Sequence, residues 1–381
     1  MMATALVNGR VLLDRGFETG LAVIIEGARI AAIVGARELP AGVRRVDLDG
    51  ALLTPGFIDV QVNGGGGTLF NDSPTVETIA TIGAAHRRFG TTGFLPTLIS
   101  DDLSVVREAV RAVDAAIAAG VPGVLGIHIE GPYLNTRRKG IHDSSKIREL
   151  DDAGFHTITS LARGRTLVTL APERTTQAMI RRLVAAGVIV SAGHTNGRYQ
   201  DIRDALDAGL AGFTHLFNAM SPLTSREPGA VGAALEDQAS WCGLIVDGRH
   251  IDPVTMRLAL RCKPLDRFML VTDAMPSVGM IEKSFVLQGQ PIRVEDGVCI
   301  NADGTLAGSD LDMASAVRNA AAMLGVGIEG ALRMATGHPA AFLRLEHQLG
   351  RIAPGMAANL IALDAQLAVT RSWIDGVDSE P

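Results

Sequence analysis

Two rhythms of apolar and polar positions divide the chain. Near its start, Ala5-Leu6-Val7, Leu21-Ala22-Val23-Ile24-Ile25 and Ile30-Ala31-Ala32-Ile33-Val34 are short runs rich in strand formers, separated by Gly, Asn and Asp. That spacing predicts a small antiparallel sheet. Far along the chain, the turn residues Pro354-Gly355 precede another such run, Leu360-Ile361-Ala362-Leu363. The expectation is one small β-sandwich domain built from both ends, residues 1–52 and 346–381, interrupted by residues 53–345.

Inside the interruption, strands and helices alternate. Strand candidates fall at 53–60, 93–97, 124–130, 167–171, 188–192, 212–217, 241–247 and 268–273, with alanine-rich amphipathic stretches such as 105–119 and 174–186 between them. Strands buried on both faces read as near-continuous apolar runs. Eight of them with intervening helices argue for a (β/α)8 TIM barrel over an open doubly wound sheet. Each run ends in a polar residue: Asp59, Thr97, His128 and Glu130, Glu173, His194, His215, Asp247 and Asp273. In a barrel these ends are expected to converge on the rim that carries the active site.

Period-two alternation puts His128 and Glu130 on one face of their strand. His194 follows Ser191-Ala192-Gly193, and His215 follows Phe213-Thr214. A single histidine of this kind is more often a core residue bonded to a carbonyl. One carboxylate and two imidazoles at strand ends instead form a metal site with an open position. Asp273, after the apolar run to Val271, is placed to accept a proton from water and return it to a leaving group, although an Asp there also suits a helix N-cap. Gln61 and Asn63 stand where two histidines would add a second metal, and 170–173 offers no lysine to bridge a pair. One metal is therefore expected. Arg226 and His250, in loops beyond the strand ends, are candidate anion clamps. The Gly64-Gly65-Gly66-Gly67 run lacks the Lys-Ser/Thr of a phosphate loop and reads as a tight turn.

Composition narrows the partners. The 381 residues are 47% hydrophobic with a formal net charge of -6. That suits a chain with a large core and lacks the basic footprint of a nucleic-acid binder, so an anionic substrate needs local positive charge. Cys242, Cys262 and Cys299 form no CxxC pair, which argues against a disulfide framework or a structural zinc cluster. No charged start leads into an apolar core, and no apolar stretch reaches membrane-spanning length, so a cytoplasmic address is expected.

Pro55-Gly56-Phe57-Ile58-Asp59 after a small β domain resembles the start of the amidohydrolase superfamily barrel. An ordered set of segments resembles one family within it, the N-acetylglucosamine-6-phosphate deacetylases. The set is His128-Ile129-Glu130-Gly131-Pro132-Tyr133, Lys139-Gly140-Ile141-His142, Ser191-Ala192-Gly193-His194, Thr214-His215-Leu216-Phe217-Asn218-Ala219-Met220, Arg226-Glu227-Pro228-Gly229, Asp247-Gly248-Arg249-His250 and Val271-Thr272-Asp273-Ala274. The resemblance runs essentially end to end.

It implies one divalent metal ion per subunit on Glu130, His194 and His215, zinc foremost, with iron, cobalt or manganese as alternatives. It makes Asp273 the catalytic acid/base and His142 the contact to the acetamido carbonyl, with Asn218 and Ala219 lining the sugar site. Arg226 and His250 would bind phosphate, Arg226 from the neighbouring subunit of a homodimer, while Leu306, Ala307 and Gly308 close over the substrate. The implied reaction converts N-acetylglucosamine 6-phosphate to glucosamine 6-phosphate and acetate in amino-sugar catabolism. Three other readings stay open: a deacetylase for the galactosamine epimer, a cyclic-amide hydrolase, and a sugar-phosphate sensor without turnover. The cyclic-amide enzymes usually need the bridging lysine, and a sensor has no need of Asp273.

Overall fold

Eight parallel strands in strictly sequential order form the centre of the protein, in a computed structural model that describes residues 3–295 and 297–379. The expected domain limits at residues 1 and 381 lie outside the described residues. The barrel strands are β1 (Phe57–Val62), β2 (Thr91–Ile99), β3 (Gly126–Glu130), β4 (Arg165–Leu170), β5 (Ile189–Ala192), β6 (Gly212–Phe213), β7 (Trp241–Leu244) and β8 (Phe268–Leu270). The last strand meets the first just past its end. Val62 bridges Ala274, the Asp273 amide donates to Gln61 O (3.0 Å) and the Asn63 amide donates to Ala274 O (2.9 Å), so the sheet nearly closes.

Helices pack outside. Leu103–Ala118 turns Val106, Val110 and Val113 inward, all buried, at helical spacing. Each such side chain contributes roughly 1.5–3 kcal/mol of burial free energy. Gln177–Ala185 begins later than its sequence pattern suggests, because the Thr176 hydroxyl caps it by accepting the Met179 amide at 3.1 Å.

The barrel strands differ from expectation at their ends. The run 53–60 is two strands broken at Gly56: Leu52–Pro55 joins the sheet of the chain ends, and only Phe57–Val62 enters the barrel. A Cβ on Gly56 would lie 2.0 Å from Thr92 Oγ1, so only glycine allows the two strands to part there. The runs 212–217 and 268–273 stop early as strands, because the backbone turns left-handed at His215 (φ 34°) and Asp273 (φ 53°).

The chain ends meet as expected, in mixed rather than purely antiparallel sheets. One has the order Arg29–Gly35, Leu21–Glu26, Thr4–Val7, Arg44–Asp47, with the last pair parallel. The other runs Val377–Ser379, Val369–Ile374, Leu360–Leu363, Leu52–Pro55, Arg10–Leu13, Gly16–Glu18. Leu6, Val23 and Ile25 from the first share a core with Val11, Leu53 and Trp373 from the second. Between β8 and the helix Met313–Met323 stands an antiparallel meander of four strands, Ser284–Leu287, Gln290–Glu295, Val298–Ile300 and Leu306–Ser309, absent from the sequence expectation. Among the described residues no helix is long and apolar enough to cross a membrane.

Candidate active site

Three strand ends bring Glu130, His194 and His215 together. His215 Nε2 lies 2.9 Å and His194 Nε2 3.2 Å from Glu130 Oε1, the two imidazole nitrogens are 3.1 Å apart, and all three side chains are buried. His194 Nδ1 lies 2.8 Å from the carbonyl of Arg138, an acceptor only, so this nitrogen carries the proton and Nε2 offers its lone pair. Two lone pairs and a carboxylate oxygen crowded together call for a cation. Tetrahedral ligands about 2.0–2.1 Å from zinc stand about 3.3 Å apart, close to the observed spacing. The residues present fit a divalent metal.

Electrostatics agree. Burial pushes the Glu130 carboxyl up, yet the His194 and His215 imidazoles against it outweigh that and hold it well below its ordinary value. His194, His215 and Asp273 all take left-handed backbone conformations (φ 47°, 34° and 53°). For non-glycine residues this costs of order 1–3 kcal/mol each and marks sites where side-chain aim is fixed against local preference.

Asp273 is held by two amides that the sequence reading weighed only as missing imidazoles. Asn63 Nδ2 donates to Asp273 Oδ1 at 2.7 Å; Gln61 Nε2 donates to the same oxygen at 3.1 Å and to Glu130 Oε2 at 3.1 Å. Burial, with the nearby Glu130 charge, raises the Asp273 carboxyl to about 6, opposed by His215 and the Asn63 bond. The signal was there in the alternation of Asp59, Gln61 and Asn63, which places three polar side chains on one face of β1 and its extension.

His142 is buried next to the cluster, its ring 4.4 Å from that of His194. Its Nδ1 accepts the Ser100 amide at 3.2 Å and lies 2.8 Å from Ser100 Oγ. Burial holds the imidazole well below its ordinary pKa, so it is neutral with its proton on Nε2, ready to donate.

A cavity of about 390 Å³ opens above these groups, lined among others by His142, Asn218, Ala219, His250, Leu306 and Gly308. Ala307 is instead fully buried against Met275 and Leu287 in the core of the meander. His250 Nδ1 is 2.6 Å from Asp247 Oδ2. Arg226 stands apart, exposed on the loop after His215 and outside the cavity lining.

Not every strand-end polar residue reaches the rim. Asp59, Thr97 and His128 are buried within the barrel. Asp59 bonds Thr272 Oγ1 (2.5 Å) and the Gln61 amide (3.1 Å), and burial raises it to about 7. Burial pushes His128 down to about 4. Glu173 clamps two loops by accepting Asn135 Nδ2 (2.8 Å), Thr195 Oγ1 (2.5 Å) and the Asn196 amide (2.7 Å).

The sequence signature of the amidohydrolase family matches residues 52–378, and that of the NagA composite domain matches residues 4–53. The N-acetylgalactosamine-6-phosphate deacetylase of Shewanella sp. (strain ANA-3) is 46% identical over 331 residues, 86% of this chain and 83% of that one. The crystal structure of N-acetylglucosamine-6-phosphate deacetylase from Pasteurella multocida superimposes with a TM-score of 0.96 at 35% identity, covering 100% of both chains. That of a Mycobacterium smegmatis N-acetyl-D-glucosamine-6-phosphate deacetylase mutant in complex with N-acetyl-D-glucosamine-6-phosphate superimposes with a TM-score of 0.88 at 34% identity, covering 99% of this chain and 98% of the other.

Proposed function

The chain belongs to the amidohydrolase family, and on that footing we propose that it hydrolyses the acetamido group of N-acetylglucosamine 6-phosphate to glucosamine 6-phosphate and acetate. The observation that carries the reading is a buried carboxylate, Asp273, held by two amide donors beside the Glu130–His194–His215 cluster, in one cavity with a neutral donor, His142.

Glu130, His194 and His215 would hold one divalent ion, zinc foremost, which would supply Lewis acidity. Asp273 does the proton work. Its Oδ1 is occupied by Gln61 and Asn63, which leaves Oδ2 to take a proton from the attacking water. His142 Nε2–H donates to the acetamido oxygen as charge develops there. The protonated Asp273 then gives its proton to the departing amine, so a single carboxylate ends as it began. Asn218 and Ala219 line the sugar site, Leu306 and Gly308 cover it, and His250, supported by Asp247, binds the phosphate. Arg226 supplies the second phosphate contact from the other subunit of a homodimer, in keeping with its exposure outside its own cavity. The enzyme works in the cytoplasm.

A second reading, the galactosamine epimer, is favoured by the 46% identity to the Shewanella enzyme. Acetate release decides both. Fast, chelator-sensitive release from N-acetylglucosamine 6-phosphate, and slow release from the epimer and the unphosphorylated sugar, is the expected result. Faster release from the epimer transfers the assignment, and no release from any of them with metal bound overturns deacetylation.

A further inference from the structure

A barrel interior is ordinarily filled by branched apolar side chains, but just beneath the metal cluster this one is polar. Thr97 on β2 accepts the Val62 amide of β1 at 2.8 Å and lies 3.3 Å from His128 Nδ1 on β3. His128 Nε2 is 2.7 Å from Thr169 Oγ1 on β4, Thr169 is 2.6 Å from Thr214 Oγ1 beyond β6, and Thr214 is 2.9 Å from Ser191 Oγ on β5. A single line of hydrogen bonds thus links five neighbouring strands and the residue just past the sixth, and every side chain in it is buried. His128 is its centre, and nothing in the proposed chemistry uses it.

The line runs under the ligands. Thr169 is in register with Glu130, and His128 shares a strand face with it. Thr214 immediately precedes His215. Ser191 lies three residues before His194, and the intervening Gly193 sits on the line: a Cβ there would meet Thr169 Cγ2 at 2.6 Å and Thr214 Cβ at 3.2 Å. Apolar packing tolerates sliding between strands, whereas hydrogen bonds fix separations to a few tenths of an ångström. We propose that His128 is a positioning residue: through Thr169, Thr214 and Ser191 it sets the mutual spacing of Glu130, His194 and His215. The inference rests on the reading of those three as metal ligands.

Thr169→Val is the main test, because it keeps the methyl group beneath Gly193 and removes only the hydroxyl. His128→Gln, which keeps a polar group, and His128→Leu, which does not, form a rescue pair. Wild type and variants are compared for zinc retained against graded chelator, for the visible spectrum of the cobalt(II)-substituted protein, and for kcat and KM separately. Partners of this kind are typically worth 10–100-fold in metal affinity or activity. The expected result for Thr169→Val is about tenfold weaker zinc retention, an altered cobalt spectrum and about tenfold lower kcat, with KM within about twofold. His128→Gln should stay closer to wild type than His128→Leu; if the leucine variant does not fold, Thr169→Val carries the test. A folded Thr169→Val protein with wild-type zinc retention and cobalt spectrum overturns the inference, even with a lowered melting temperature. A wild-type protein that takes up no metal overturns the metal reading itself, and the inference with it.

Discussion

The Asn63 side-chain amide donates to Asp273 Oδ1 across 2.7 Å, tying the extension of the first barrel strand to the segment that follows the last. Burial with the Glu130 charge places Asp273 at about 6, and the Asn63 bond pulls against that rise. With Asp273 as the proposed base, the carboxylate is the working form, so kcat/KM should fall as pH drops through about 6. Asn63→Leu removes a donor that favours the ionised form, so the acid limb should move up by about one pH unit. An acid limb unchanged in the variant would refute the role given to Asn63.

Asp273→Asn keeps the shape of the side chain and removes its basicity. The expected loss in kcat is about 10²–10⁴-fold, with one metal ion per chain still bound by elemental analysis. Loss of the metal in this variant would make Asp273 a ligand instead.

His215→Ala removes one donor of the cluster and leaves Glu130 half-paired in a buried site. Metal content and activity should fall together, and added zinc should restore chelator-treated wild type but not the variant. Full activity in zinc-free His215→Ala would exclude the cluster from the reaction.

The proposal that Arg226 acts across a dimer is decided by a mixing experiment. Arg226→Ala and Asp273→Asn proteins are each nearly inactive alone. After subunit exchange, mixed dimers contain one site with both native residues, and part of the activity should return. If Arg226 works within its own subunit, no mixed dimer has an intact site and activity stays lost.

Asp59, raised from 3.8 to about 7 by burial, predicts a pH-dependent stability. The native state keeps the proton where the unfolded chain has released it, so its contribution is fully present below about pH 4 and is lost as pH rises through 7. Asp59→Asn holds no titrating proton. Relative to that variant, wild type should lose roughly 2–4 kcal/mol of unfolding free energy between pH 4 and 8. Parallel curves in chemical denaturation would show that Asp59 stays ionised throughout.

Glu130, His194 and His215 were legible in the sequence because each interrupts an apolar run, and a polar residue in a strand buried on both faces needs a reason. The eight runs themselves gave the barrel. Three things were hidden. The left-handed turns at His215 and Asp273 leave no mark in hydropathy, so the expected strands 212–217 and 268–273 ran past their true ends. The work of Gln61 and Asn63 depends on how β1 meets the segment after β8, a tertiary relation in which amides read only as absent histidines. The meander 284–309 is built of short, half-exposed strands with little periodicity, although Gln288-Gly289 is a two-residue hairpin turn that marks its first bend.

The pairing of Leu360–Leu363 with Leu52–Pro55 also orders events during synthesis. Leu52–Pro55 directly precedes the barrel's first strand, yet its neighbour on one side is translated roughly three hundred residues later. At about 5–20 residues per second that is a wait of roughly 15–60 s. Throughout it, a nascent chain presents this strand as an open edge, the kind that invites pairing with another chain. Ribosomes stalled before residue 360 would release products with a templating edge, and the full-length chain closes that window only as its final strands arrive.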